Sequence, residues 1–183
     1  MRVVVPYAAN PQRTPPHPGL MPETVEALER HCPVEPLYVD VSRSVTAYFE
    51  LLTELWRDSS TDLVIVEHDM VPHAHVWTAF QRCPHPWCGF AYPKDSQPEL
   101  VALGCTRFRR SLIDTANDLP GRMAAHWNDW DSMPVGHWVR CDGHLDVELR
   151  KIPYVWRGET VTYQPHKHLP TVGHVNPGER SAP

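Results

Sequence analysis

From Asp62 to Val66 the chain reads DLVIV and passes directly into Glu67, His68 and Asp69. A run this apolar and β-branched fits a strand covered on both faces, which is the condition of a central parallel strand. Parallel strands need crossover connections, usually helices. The preceding sequence supplies them. Arg2 to Tyr7 (RVVVPY) predicts a first buried strand, and Pro22, with Glu23 and Glu26 in the first turn, starts a helix that runs to about His31. Glu35 to Val41 (EPLYVDV) predicts a second strand. Ser42 or Ser44 is placed to cap a long helix, because Val45, Tyr48, Phe49, Leu52, Leu55 and Trp56 recur at three- and four-residue spacing. A chain that begins βαβαβ belongs to the α/β class. The expectation is one Rossmann-like domain, an open and mostly parallel sheet with helices on both faces, its ligand bound outside the carboxyl ends of the strands.

Beyond this point the rhythm breaks. Val76 to Cys83 reads as a helix, Trp87 to Tyr92 and Gly104 to Phe108 as extended, Ser111 to Asn117 as a short helix, and the second half as mixed. With 183 residues the chain fits one domain, taken as residues 1–175, with a nucleotide-facing half (1–103), a closing half (104–175) and a loose tail (176–183). Twenty prolines concentrate at Pro11 to Pro22, Pro84 to Pro98 and Pro165 to Pro183, so they punctuate long loops between regular segments. Five cysteines without a C-x-x-C pair argue against a disulfide framework or zinc ribbon and predict reduced thiols. No segment reads as a membrane span or a signal peptide, so the expected compartment is the cytoplasm, with no membrane partner and a monomer or small homo-oligomer. A formal charge of -5 gives no whole-molecule attraction to nucleic acid, although a local basic patch is compatible with it.

The chemistry concentrates where the third strand ends. Glu67 and Asp69 place two carboxylates two residues apart, an arrangement that is costly unless a cation or polar ligand lies between them. A divalent metal resolves the conflict; an ordinary strand-to-helix turn with Asp69 as cap is the plainer reading of the triplet alone. Arg107, Arg109 and Arg110 are spaced so that at least one should face a cleft, where a guanidinium grips a diphosphate. Fourteen arginines against three lysines suit such contacts, as does a genome rich in G+C. Three histidines within nine positions, His166, His168 and His174, form a plausible closing arm for a metal site.

The segment LVIVEHDMVP, a strand followed by acidic-x-acidic and a proline, resembles the DXD motif of GT-A glycosyltransferases, and the order of the surrounding elements is similar over about 175 residues. The resemblance implies a GT-A-like fold and transfer of a sugar from a nucleoside diphosphate sugar, in the presence of Mn²⁺ or Mg²⁺, to an acceptor hydroxyl. It also assigns residues. Pro6 and Tyr7 after the first strand, and Asp40 with Ser42 after the second, would hold base and ribose; a pyrimidine diphosphate sugar such as a uridine one is expected. Glu67 and Asp69 would bind metal and diphosphate, although Glu-His-Asp replaces Asp-x-Asp. Leu103 to Ile113 looks like the glycine-led strand that floors the donor pocket, with Arg107 or Arg109 on the diphosphate. Trp138 to Asp142 is similar to a tryptophan-x-x-x-Asp segment of short phage and actinobacterial members, which makes Asp142 the acceptor base; Asp131 and Asp146 are rivals, and Asp142 as cap of a helix Gly143 to Lys151 is the structural alternative. A late histidine of the family points to His174 as metal ligand, with His166 or His168 on phosphate. Because compact phage enzymes of this kind include some that glycosylate hydroxymethylated pyrimidines in DNA, modified DNA is the first acceptor to consider.

Two other classes fit the same residues. His68, Asp69, His73 and His75 supply donors for a metal-dependent nuclease or hydrolase, although neither a ββα-metal nor an H-E-x-x-H layout is present. A binding module for nucleotide sugar or metal, without catalysis, is the third.

Overall fold

A computed structural model describes residues 1–9, 19–90, 92–94, 97–100, 103–127, 133–156, 159–162, 166–168 and 173–174. The first half follows the expected alternation closely. Strand β1 (Arg2–Tyr7), helix α1 (Pro22–His31), strand β2 (Leu37–Asp40), helix α2 (Ala47–Asp58) and strand β3 (Leu63–Val66) succeed one another. Proline opens α1 at its first position, as its fixed φ and missing N–H favour. Helix α2 begins later than Ser42 or Ser44 would have set it: Thr46 is the N-cap and makes no side-chain cap bond. The Ser44 hydroxyl is engaged within the preceding turn, where it accepts from the Thr46 N–H at 3.3 Å.

A short strand β4 (Met70–Val71) follows β3 and leads into helix α3 (Ala74–Arg82), strand β5 (Trp87–Phe90), and the hairpin strands β6 (Tyr92–Lys94) and β7 (Gln97–Leu100). Strand β8 (Cys105–Phe108), helix α4 (Arg110–Thr115) and helix α5 (Leu119–His126) come next; the sequence pattern had suggested α4 but not α5. A 3₁₀ turn over Trp138–Arg140 runs into helix α6 (Cys141–Leu149), and the chain continues through β9 (Pro153–Trp156), β10 (Glu159–Thr162), β11 (His166–His168) and β12 (Gly173–His174). No described helix is long and apolar enough to cross a membrane.

Six strands form one mixed sheet in the order β11-β5-β8-β3-β1-β2. Strands β1, β2 and β3 are mutually parallel, β11 is parallel to β5, and β8 alone runs against its neighbours on both sides. All strands but β8 therefore share one carboxyl edge. Alternation along the strands divides the core in two. Val4, Leu63, Ile65, Trp87 and Phe108 face α2, α4, α5 and α6, whereas Val3, Val5, Val64, Val66, Cys88 and Phe90 face α1 and α3. Helices thus cover both faces, the condition under which β3 can be apolar at every position. All four cysteines Cys83, Cys88, Cys105 and Cys141 are buried, and all five are free thiols.

Candidate functional site

The turn after β3 is clamped from three directions. Glu67 donates its N–H to the Gly104 carbonyl at 2.8 Å, and Met70 donates to the Glu67 carbonyl at 3.0 Å. The His68 carbonyl accepts both the Met21 N–H at 3.1 Å and the Thr24 hydroxyl at 2.8 Å, so the start of α1 holds the middle of the triplet. His68 therefore contributes its backbone to the architecture. The half-buried Glu67 and Asp69 flank it in a turn whose backbone bonds are made.

Two distant segments join this turn. Tyr48, on the sheet-facing stripe of α2, donates its hydroxyl to Glu67 Oε1 at 2.9 Å. Asp142, in the first turn of α6, accepts the Leu103 N–H through Oδ1 at 3.3 Å, one residue before the glycine that binds Glu67. Tyr48 senses both acids: burial, the charges of Glu67 and Asp142 and the bond to Glu67 hold its phenol well above the ordinary value. Cys141 is pushed up to about 12 by burial and by the charges of Asp142 and Glu67. Glu67, Asp142 and Tyr48 thus form one cluster built from β3, α6 and α2.

Asp142 is not the helix cap that its position before Gly143 allows. Helix α6 starts at Cys141 with Arg140 as N-cap, which places Asp142 inside the first turn with its carboxylate on Leu103. Asp146, one of its rivals, pairs instead with Arg150 at 2.7 Å. Asp131 lies outside the described residues.

At the adjacent strands, Tyr7 is the register partner of Asp40 and Pro6 that of Val39, at the same carboxyl edge. Pro6 is buried and Tyr7 half-buried. The Asp40 carboxylate accepts the Ser42 N–H at 2.8 Å, and hydrogen bonding from Ser42 lowers its pKa. The late chain returns as well. Strand β12 pairs antiparallel with β4, so that His174 is the register partner of Met70, the residue after Asp69.

Other expected contacts are not made. Arg107 is buried at 2% exposure, and its guanidinium donates to the carbonyls of Phe80, of Cys83 at 2.8 Å and of His85 at 3.1 Å. Arg109 adds a bond to the Cys83 carbonyl at 2.7 Å. These arginines close the carboxyl end of α3, where helix carbonyls lack intrahelical donors. Arg110 binds Asp114 through its side chain and Asp62 through its N–H. The reason is direction. Strand β8 is antiparallel, so only its first residues lie beside Glu67, and its last residues emerge at the opposite edge. His168 ends β11 as the partner of Phe90, three strands from β3, about 14 Å at ordinary strand spacing, and is not brought to the acid cluster.

Among the described residues, no group of three or more His, Cys, Asp and Glu is disposed to hold a metal ion by itself. That includes His68, Asp69, His73 and His75. The rings of His73 and His75 lie 6.0 Å apart, and burial followed by the charge of His73 lowers the His75 pKa. Glu67 and Asp69 share one turn, and backbone pairing makes His174 the register partner of the residue after Asp69. Hard oxygens with one imidazole suit Mn²⁺ or Mg²⁺ chemically, provided that a ligand completes the shell.

Sequence reasoning missed Tyr48 and the backbone of Leu103. The only trace of Tyr48 was a hydroxyl on an otherwise apolar helix stripe, and the Leu103 N–H leaves no trace in side-chain pattern.

No family model and no curated protein matches the chain. Among solved structures it is similar to one described as the crystal structure of A197 from STIV, at 15% identity and a TM-score of 0.40, over 62% of this chain and 68% of that one.

Proposed function

We propose that the chain is a divalent-cation-dependent glycosyltransferase of GT-A type that takes a sugar from a nucleoside diphosphate sugar. The observation that carries this reading is the convergence of the Glu67–Asp69 turn, Leu103–Gly104 and Asp142 at the carboxyl edge of the parallel strands. Acids at that edge suit a cation and a diphosphate, the usual place for a ligand in an open α/β sheet. The glycine-led strand beside Glu67 and the return of the late chain to β4 at His174 add support.

Glu67 and Asp69, with His174, are the residues that would hold the cation; when bound, it neutralises charge on the departing diphosphate. Tyr48 holds the Glu67 carboxylate in one orientation. Tyr7 and Asp40 lie where a base and ribose would rest. Asp142, oriented by the Leu103 N–H, takes the proton of the acceptor hydroxyl as its oxygen attacks the anomeric carbon. The bond from that carbon to the diphosphate oxygen breaks, and direct attack inverts the centre.

Incubation with a panel of nucleoside diphosphate sugars and Mn²⁺ tests the assignment. Release of nucleoside diphosphate is expected from a pyrimidine donor, with Asp69→Asn reducing turnover and Mn²⁺-supported nucleotide binding by roughly 100-fold or more. Turnover by Asp69→Asn at the parent rate would remove the assignment. Phosphodiester cleavage would favour a nuclease, and nucleotide binding without turnover a binding module.

A further inference from the structure

Trp138 stands apart from the other described tryptophan side chains. Trp56, Trp77, Trp87 and Trp127 are buried to 4% exposure or less, whereas Trp138 is 57% exposed, beside Val135 and Val45 at 48% and 45%. Its backbone is nevertheless fixed. The Trp138 N–H donates to the Val45 carbonyl at 2.9 Å, and His137 closes a turn onto Pro134 at 3.1 Å. Gly136, at φ +86°, packs so tightly that a Cβ there would lie 2.7 Å from Phe49. The exposed indole is thus held on a braced segment.

Chain connections run from this segment to two members of the acid cluster. Trp138 lies one helical turn before Asp142 on the continuous run into α6, and Val45, which it binds, lies three residues before Tyr48. An exposed aromatic plane, stacked with His137 at 6.2 Å and one helical turn from Asp142, has a specific ligand chemistry. The plane takes an apolar ring face, and the carboxylates accept hydroxyl protons. A neutral carbohydrate ring presents both. A duplex presents phosphates, for which a carboxylate such as Asp142 is a poor neighbour. Arg43 nearby is already paired with Glu50 at 2.6 Å, and Arg107, Arg109 and Arg110 are engaged at the other edge of the sheet.

We infer that Trp138, with Val135 and Val45, seats a neutral carbohydrate ring as the acceptor, its hydroxyl directed to Asp142. The inference deepens the transferase reading and rests on it for the direction of the hydroxyl. Calorimetric titration of the parent, Trp138→Ala and Trp138→Phe with neutral methyl glycosides and disaccharides tests the seat without turnover. Parallel rate measurements use the same saccharides and a duplex containing hydroxymethylcytosine. At least one saccharide is expected to bind the parent, roughly tenfold or more weaker to Trp138→Ala, with Trp138→Phe partly restored. Acceptor KM should rise by a similar factor, while Mn²⁺-supported nucleotide binding stays unchanged. Saccharide binding without any transfer would leave the seat standing and sink the transferase. Transfer to the duplex unaffected by Trp138→Ala, or no saccharide binding to the parent, would overturn the seat.

Discussion

The two ends of strand β8 and its neighbours use charge in opposite ways. At the end beside Gly104 the charged groups are acids: Glu67 receives the Tyr48 hydroxyl, and Asp142 receives a backbone N–H. At the end beside Phe108 they are arginines, bonded to the carbonyls of the α3 terminus and to acids of nearby segments. The arginine end spends its charge on structure. Guanidinium groups are consumed there as donors to backbone oxygens, which stabilises the fold and leaves them unsuited to grip a ligand. At the acid end, a hydroxyl and a backbone N–H donate to the carboxylates and orient them. A strong ionic motif in a sequence therefore says nothing about function until its partners are known.

The comparison breaks most readily at the arginine end. Arg107→Met should cost roughly 3 kcal/mol of stability, because the Phe80 and His85 carbonyls lose the guanidinium and the Cys83 carbonyl keeps only its bond from Arg109. Urea denaturation measures the loss, and nucleotide affinity of the folded fraction should match the parent. A large loss of nucleotide affinity at unchanged stability would return Arg107 to the ligand.

A smaller change is expected at the acid end from Tyr48→Phe. Removing one neutral hydroxyl should cost about 1 kcal/mol of stability and weaken Mn²⁺-supported nucleotide binding by roughly tenfold. Equal effects on stability and binding in Arg107→Met and Tyr48→Phe would erase the distinction between the two ends.

The smallest effect concerns the far side of α6. His144 is buried against Trp127, with ring centroids 4.2 Å apart, and burial, then the charges of His126 and Arg140, lower its pKa. A lowered histidine is neutral when folded, so its contribution is full above the ordinary value of 6.5 and declines as pH falls through the folded value. Stability of the parent should fall as pH drops below 6.5 and level off once the folded histidine is protonated too, and His144→Leu should show a shallower decline. Identical pH profiles in denaturation would show that His144 carries none of it.

Most of the first half was legible. The boundaries of β1 and α1 fall where the β-branched run and Pro22 put them, and β3 lies within the apolar run. Local rules govern those features: strand propensity, proline at the first helical position, helical periodicity. The site was legible in part. The Glu67–Asp69 pair and Asp142 were marked by residue type, whereas the pairing of β4 with β12, which makes His174 the register partner of Met70, was not. Helix starts were less secure, since Ser44 and Asp142 both suit an N-cap and neither is one.

The sequence alone determined where β1, α1 and β3 form and which acids end β3, because these depend on neighbours a few residues away. Only the tertiary structure decided where the arginines go. A strand has the same two-residue alternation whether its neighbours run with it or against it, so nothing in CTRFRR signals that β8 is reversed. Reversal carries Arg107 and Arg109 away from Glu67 and onto the end of α3. Tyr48 and the Leu103 N–H belong to the same category: each becomes part of the site through a partner 19 and 39 residues away, a distance that folding closes and local pattern does not encode.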